Sequence, residues 1–226
     1  MSQAEQAAAR RRERWILLAV LAGLVAVVVG GGIGLQAWRT GRAPTPVAVA
    51  EPASPPATIS AGQPVTYGAA DAPKVVTLFS DFHCPHCAEF HEAYGPVLEQ
   101  ARQVGRIRLE VYPMAFIDAG STAAANAFGC AAEAGFAPGY YAGLFANPIL
   151  RWSDAQLLAL PAAVGATSTP AFEACVTGRT HAAWVESINA GAGQRGVTAT
   201  PTVLVDGAVV DVSKLTPDDL AAMINP

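Results

Sequence analysis

The longest apolar run in the chain, WILLAVLAGLVAVVVGGGIGLQAW from Trp15 to Trp38, holds no charged residue. As a helix rising about 1.5 Å per residue it spans roughly 36 Å, enough to cross a hydrocarbon core of about 30 Å. Tryptophan at each end suits the membrane interface. The next stretch, APTPVAVAEPASPPATISA from Ala43 to Ala61, is rich in Pro and Ala without periodicity and reads as an extended tether. Periodic patterns follow. KVVTLFSDF from Lys74 and RIRLEVYPM from Arg106 read as strands, and TPTVLVDGAVVDV reads as a hairpin turning at Asp206-Gly207. From Ser121 to about Gly193 the pattern is helical and Ala-rich, with start signals at Ser121, at Ser153-Asp154 and at Thr169-Pro170. Thr216 opens a C-terminal helix in the same way. Strand, helix, strand, helical block, hairpin, helix is the order of an α/β unit with a helical insertion between its halves.

Charge orients this layout. Four Arg and one Glu stand in ARRRER before the apolar run, and only Arg39 and Arg42 follow it closely. The positive-inside bias puts the N-terminus in the cytoplasm. The expected organisation is a basic cytoplasmic tail over 1–14, a transmembrane helix over 15–38 and a linker over 39–61. The folded unit follows over 62–226, with its helical insertion at about 121–193. A cleaved signal peptide is the competing reading, with VAVA (47–50) as the small-residue site. That site lies about a dozen residues past a run already longer than a usual signal-peptide core. Both readings export the rest of the chain, and the anchored one makes it a single-pass protein of the cell membrane with its folded unit outside. A net charge of −4, with 14% charged residues and no basic cluster past the N-terminus, excludes a phosphate-neutralising nucleic-acid surface.

The step from strand to helix carries the chemistry. SDFHCPHCAEF, residues 80–90, places Cys84 and Cys87 three apart with Pro85 at the first helical position, and His83, His86 and His91 lie around them. Cys84 then falls at or beside the N-cap, where unpaired N–H groups and the positive end of the helix dipole favour a thiolate. A free thiol titrates near 8.5, whereas thiols in helix-start Cys-X-X-Cys motifs titrate at about 3.5–7.5. His86 and His83 add positive charge nearby. Cys87, one turn on and more enclosed, is placed to attack a mixed disulfide formed at Cys84. A metal site is the other reading, since Cys87 and His91 are four apart on one helix face. Structural zinc would want a second ligand pair at short spacing, which is missing, but a copper site using Cys84, Cys87 and a histidine stays open. Haem attachment fails because Ala88 stands where a histidine is needed. His91 is expected to be an exposed helix residue outside the chemistry.

YGAADAPKVVTLFSDFHCPHCAEF together with GVTATPTVLVDG resembles the DsbA-type branch of the thioredoxin superfamily, exported disulfide oxidoreductases with a helical insertion. The resemblance covers about Gly62 to Pro226. It implies a thioredoxin fold with an inserted helical domain, a cis Pro201 packed against the redox pair, and a Thr200 whose backbone pairs with substrate. The Pro85-His86 dipeptide matches the oxidising members rather than the Gly-Pro of reducing thioredoxins. Those two classes stand at about −120 and −270 mV, a gap of roughly 7 kcal/mol. By resemblance, then, Cys84, Pro85, His86 and Cys87 are catalytic and Thr200 and Pro201 bind substrate. No cofactor and no metal are implied. The partners are exported proteins with free cysteines and a quinone-linked membrane protein that reoxidises the pair. Two features differ or stay open. Many members bury a carboxylate six residues before the first cysteine, where Leu78 stands here, so proton handling takes another route, through solvent or His83. Thr before the proline also occurs in isomerases and reductases, which keeps the reverse direction of electron flow as the alternative.

Cys130 in NAFGCAAEAG and Cys175 in AFEACVTG fall in the helical block. An even count of four in an exported chain points to two disulfides, and with one pair at the redox site Cys130–Cys175 is the second. It would close a loop of about 45 residues and contribute about 3–4 kcal/mol. Two buried free thiols are the alternative. Some relatives in high-GC Gram-positive bacteria carry such a bond.

Overall fold

The computed structural model describes residues 54–147 and 152–225. The basic tail, the apolar run 15–38 and most of the linker lie outside the described residues. Among the described residues no helix is long and apolar enough to cross a membrane.

One sheet of five strands runs in the order β1-β3-β2-β4-β5. Its strands are β1 (Val65–Gly68), β2 (Lys74–Asp81), β3 (Ile107–Met114), β4 (Thr202–Val205) and β5 (Ala208–Val210). β2 and β3 are parallel, with Leu78 opposite Val111, and every other pairing is antiparallel. The central strands β2 and β3 end in runs of buried residues, as strands covered on both faces should. The β4–β5 hairpin turns at Asp206 and Gly207, both at positive φ, where Asp-Gly is favoured. Strand β1 has no counterpart in the sequence reading. It has four residues, of which only Val65 and Tyr67 point inward, too short a pattern to stand out. Its last residue must be glycine, because Gly68 has φ +112 and a Cβ there would lie 2.8 Å from the Ile107 carbonyl.

Between β2 and β3 runs α1 (Pro85–Gln103), whose buried Cys87, Phe90, Tyr94, Leu98 and Ala101 recur at helical spacing. The helical block is α2 (Ala119–Glu133), α3 (Ala137–Phe145), α4 (Asp154–Ala163), α5 (Pro170–Gly178) and α6 (Ala182–Ala192), and α7 (Pro217–Ile224) closes the chain against α1. Three of the four expected caps hold. Ser153 and Thr216 form capping boxes with Gln156 and Asp219, and Thr169 caps α5 ahead of Pro170. Ser121 does not cap. Asp118 does, its carboxylate accepting from the N–H groups of Gly120 (2.8 Å) and Ser121 (3.0 Å). An anion satisfies two donors there and suits the helix dipole better than a hydroxyl.

The alanines explain the centre of the block. In α2 the residues from Ala123 to Ala132 are all buried, and α3, α5 and α6 pack around it. A helix covered on all sides needs small side chains to let its neighbours approach. The folded unit also begins earlier than residue 62. Ser54 and Ala57 donate to the carbonyls of Gly135 and Ala132, both at 2.9 Å, and Ala57 and Ile59 pack on the core. Backbone hydrogen bonding, which composition does not reveal, makes this end of the Pro/Ala stretch part of the domain.

Candidate active site

Asp81, the last residue of β2, fixes the turn into α1. Its side chain is fully buried, with Oδ1 accepting from the His83 N–H at 2.8 Å and Oδ2 from the Phe116 N–H at 3.2 Å. One carboxylate thereby joins the β2–α1 turn to the loop after β3. Cys84 follows as the N-cap of α1, its carbonyl accepting from the N–H groups of Cys87 and Ala88 at 3.1 Å. Both cysteines are free thiols here, Cys84 8% exposed and Cys87 1%.

The Cys84 sulfur makes no capping bond to the helix. It donates instead to the Thr200 carbonyl at 3.5 Å. The Thr200–Pro201 peptide is cis. This brings the two motifs, more than a hundred residues apart in sequence, onto one sulfur. A thiol can donate to that carbonyl, while a thiolate cannot, so ionisation would free the sulfur to turn toward the helix N–H groups. Cys87 lies deeper. Burial pushes its thiol up to about 12, and the Thr200 hydroxyl only partly offsets this. Beside the pair, His86, Phe90, Pro201, Val203 and Val210 line a groove of about 440 Å³.

The histidines depart from expectation. The ring of His86 is 77% exposed and stands 3.0 Å from Glu89 rather than on the Cys84 sulfur. His83 turns away from the pair altogether. Its ring is 6% exposed, with Nδ1 2.8 Å from Asp118 and Nε2 accepting from the Trp152 N–H at 3.3 Å. Burial works against the Asp118 anion, yet the His83 hydrogen bond and the N–H groups of Ser121 and Gly120 hold its carboxyl below the usual range. His83 therefore clamps the turn to the helical block. His91, expected to be exposed, is packed between helices. It stacks on Phe145 at 5.3 Å and meets the ring of Tyr141 at 5.5 Å, because α3 covers this face of α1. Burial lowers its pKa from 6.5 to about 4.

Cys130 and Cys175 are bonded, S–S 2.06 Å, joining α2 to α5. The Asn126 amide accepts from the His181 N–H at 2.8 Å and donates to the Val176 carbonyl at 3.3 Å beside this bond. Asp81, Asp118 and Tyr141 were not singled out from sequence. An aspartate three residues before Cys84, placed to form an Asx turn with His83, was a usable signal for Asp81. Nothing local marks Asp118 or Tyr141, which reach the site through tertiary packing.

A dithiol at a helix start facing a cis X–Pro peptide from the far end of the sheet defines a thioredoxin-fold redox centre. The thioredoxin family model matches residues 60–226, and the chain belongs to that family. No curated protein sequence matches it. Among solved structures, reduced DsbA from Mycobacterium tuberculosis is similar at 24% identity, covering 72% of this chain and 91% of its own, with a TM-score of 0.62. MdbA from Corynebacterium diphtheriae, a thiol-disulfide oxidoreductase, is similar at 22% identity over 75% and 96%, TM-score 0.60. Oxidised BdbD from Bacillus subtilis is similar at 23% over 79% and 96%, TM-score 0.61. At such identities the likeness establishes the DsbA-like fold.

Proposed function

We propose that the chain is a membrane-tethered thiol:disulfide oxidoreductase that donates the Cys84–Cys87 disulfide to exported proteins. The observation that carries this reading is the Cys84 sulfur, at the N-cap of α1 and 3.5 Å from the Thr200 carbonyl ahead of the cis proline. A substrate thiolate attacks Cys84, the more exposed sulfur, and Cys87 leaves as its partner. The substrate's second thiol then resolves the mixed disulfide, so the substrate is oxidised and the pair becomes the dithiol. Pro201 and the groove beside it accept an extended, apolar segment around the substrate cysteine. Pro85-His86 supports the oxidising direction. Reoxidation falls to a membrane partner, quinone-linked in the DsbA-type systems the chain resembles. The apolar run 15–38 and the basic residues before it support anchoring with the folded unit outside the cytoplasm.

The test is equilibration of residues 54–226 with glutathione, leaving Cys130–Cys175 oxidised. A potential of about −120 to −160 mV fits the oxidase, whereas about −250 mV or below makes the protein a reductant. Exchange that survives in Cys84→Ser would refute the assignment of the nucleophile. The copper-chaperone alternative needs a histidine beside the pair. His86 stands at Glu89, and His91 is packed under Phe145. Stoichiometric copper retained after dialysis of the dithiol would favour it nonetheless.

A further inference from the structure

Away from the redox pair, the helical block brings two sulfurs and an imidazole together. Cys130 comes from α2, Cys175 from α5, and His181 stands at the N-cap of α6. The two sulfurs and a ring nitrogen of His181 all lie within 4.8 Å of one another. Short ligand spacing, the usual sequence signal of such a cluster, is absent because the cysteines are 45 residues apart and sit on different helices. The surroundings hold all three residues. Asn126, fully buried, donates toward the Cys130 sulfur at 3.9 Å and to the Cys175 carbonyl at 3.5 Å, and accepts from the His181 N–H at 2.8 Å. The His181 ring lies over Gly129, where a Cβ would come within 3.0 Å of its Cδ2. Its Nε2 stands 3.0 Å from Glu133, one turn beyond Cys130 on α2. A disulfide by itself has no use for this imidazole. The ring does not serve as a helix cap either, since it makes no capping bond to α6.

We propose that in the reduced chain Cys130, Cys175 and His181 bind one Zn²⁺, and that the metal and the Cys130–Cys175 disulfide exclude each other. Zinc bonds of about 2.3 Å to sulfur and 2.0–2.1 Å to nitrogen put ligand atoms roughly 3.5–4 Å apart around a tetrahedral ion. The cluster reaches that spread once its sulfurs are no longer bonded to each other. Two thiolates cancel the charge of the cation, so the occupied site adds no net charge to a buried position. Thiolate with imidazole suits zinc, whereas thiolates and thioethers alone select Cu(I). Glu133 holds the ring as carboxylates commonly hold ligating histidines. Its side chain is 46% exposed, which marks the solvent side of the site, where a water takes the fourth position.

The chemistry balances without the Cys84–Cys87 pair. A newly made chain holds Cys130 and Cys175 as thiols. Zn²⁺ binds with the loss of two protons, one from each sulfur. A disulfide donor such as oxidised glutathione later accepts two electrons from the pair. The donor's S–S bond breaks to give two thiolates, the Cys130–Cys175 bond forms, and Zn²⁺ is released. The site therefore goes beyond the exchange activity proposed above and does not depend on it.

The test uses the full chain in detergent with Cys84→Ser and Cys87→Ser, so that Cys130 and Cys175 are its only cysteines, reduced by a phosphine without air. Titration with Co²⁺ should give one metal per chain, with thiolate-to-cobalt charge-transfer bands that Zn²⁺ bleaches. Competition with a chromophoric chelator then measures zinc affinity. Glu133→Gln should weaken it about 10–100-fold. His181→Gln keeps a polar partner for Glu133 but removes the imidazole, and should weaken it further. At equal free zinc the metal should slow oxidation of the pair by oxidised glutathione in the parent but not in His181→Gln. Equal affinity in His181→Gln means a bare cysteine pair holding an adventitious ion only, and it overturns the proposal. So does loss of all zinc from the reduced chain on dialysis, or equal retention of zinc by the oxidised chain. If the reduced chain is unfolded without metal, zinc must restore its helical circular dichroism, and failure to do so overturns the proposal as well.

Discussion

In the folded chain His91 lies against Phe145 and Tyr141, and burial lowers its pKa from 6.5 to about 4. Unfolded, the same ring titrates near its ordinary value. Below pH 6.5 the unfolded state therefore binds a proton that the folded state refuses. Stability from the neutral ring is fully present above pH 6.5, falls as the pH drops toward 4, and changes no further below that. The whole interval corresponds to about 3 kcal/mol, and the part between pH 7.5 and 5 to about 2 kcal/mol. For a domain of this size that is a fall in Tm of about 4–8 °C. Urea or thermal unfolding at pH 7.5 and 5, with the active-site pair reduced, measures it in wild type. Other carboxylates and histidines contribute to the wild-type slope, so the decisive quantity is the difference from His91→Leu. That variant has lost the titrating ring and should lose about 2 kcal/mol less over the same interval. Identical pH slopes in the two proteins would refute the burial argument, whatever their absolute stabilities.

Three further outcomes follow from the packing around the site. Gly120→Ala should cost about 1–3 kcal/mol, because a Cβ there would lie 2.3 Å from the His83 ring, which Asp118 and Trp152 already hold; an unchanged melting curve would show that the ring moves freely. Asp81→Asn turns an amide N–H toward one of the two backbone N–H groups the carboxylate accepts, and should cost about 1–3 kcal/mol by chemical denaturation. Removing the second disulfide as Cys130→Ser with Cys175→Ser should lower stability by about 3–4 kcal/mol while leaving the reduction potential of the Cys84–Cys87 pair within a few millivolts of wild type. A large shift in that potential would mean that the two pairs are coupled through α2.

How much of this was legible in the sequence depends on how local each feature is. The redox helix announced itself because Cys84 and Pro85 mark a helix start within a few residues of the end of β2. The hairpin did so through Asp206-Gly207. Capping residues at Ser153, Thr169 and Thr216 were legible for the same reason. Strand β1 was not, since two inward residues exist as a strand only because β3 offers its edge. Ser121 lost the cap to Asp118 because Asp118 also answers His83, a partner from another element. The docked residues 54–61 carry no pattern of their own, being held by backbone bonds to the end of α2.

The histidines are the clearest case of sequence proximity misleading. His83, His86 and His91 all lie within seven residues of Cys84, and each was read by its distance along the chain. In the fold they face three directions. His86 stays at the mouth with Glu89, His83 is spent on Asp118 and Trp152, and His91 packs against Tyr141 and Phe145 of α3. Charge near the nucleophile therefore does not come from three imidazoles. What remains there is the helix start, the Thr200 carbonyl and the depth difference between the two sulfurs. In the proposed exchange the more exposed Cys84 sulfur is the one an incoming thiolate reaches, while burial pushes the Cys87 thiol up to about 12. Direction of attack in that exchange is thus set by where the strand β2 ends and how deeply the first turn of α1 is sunk.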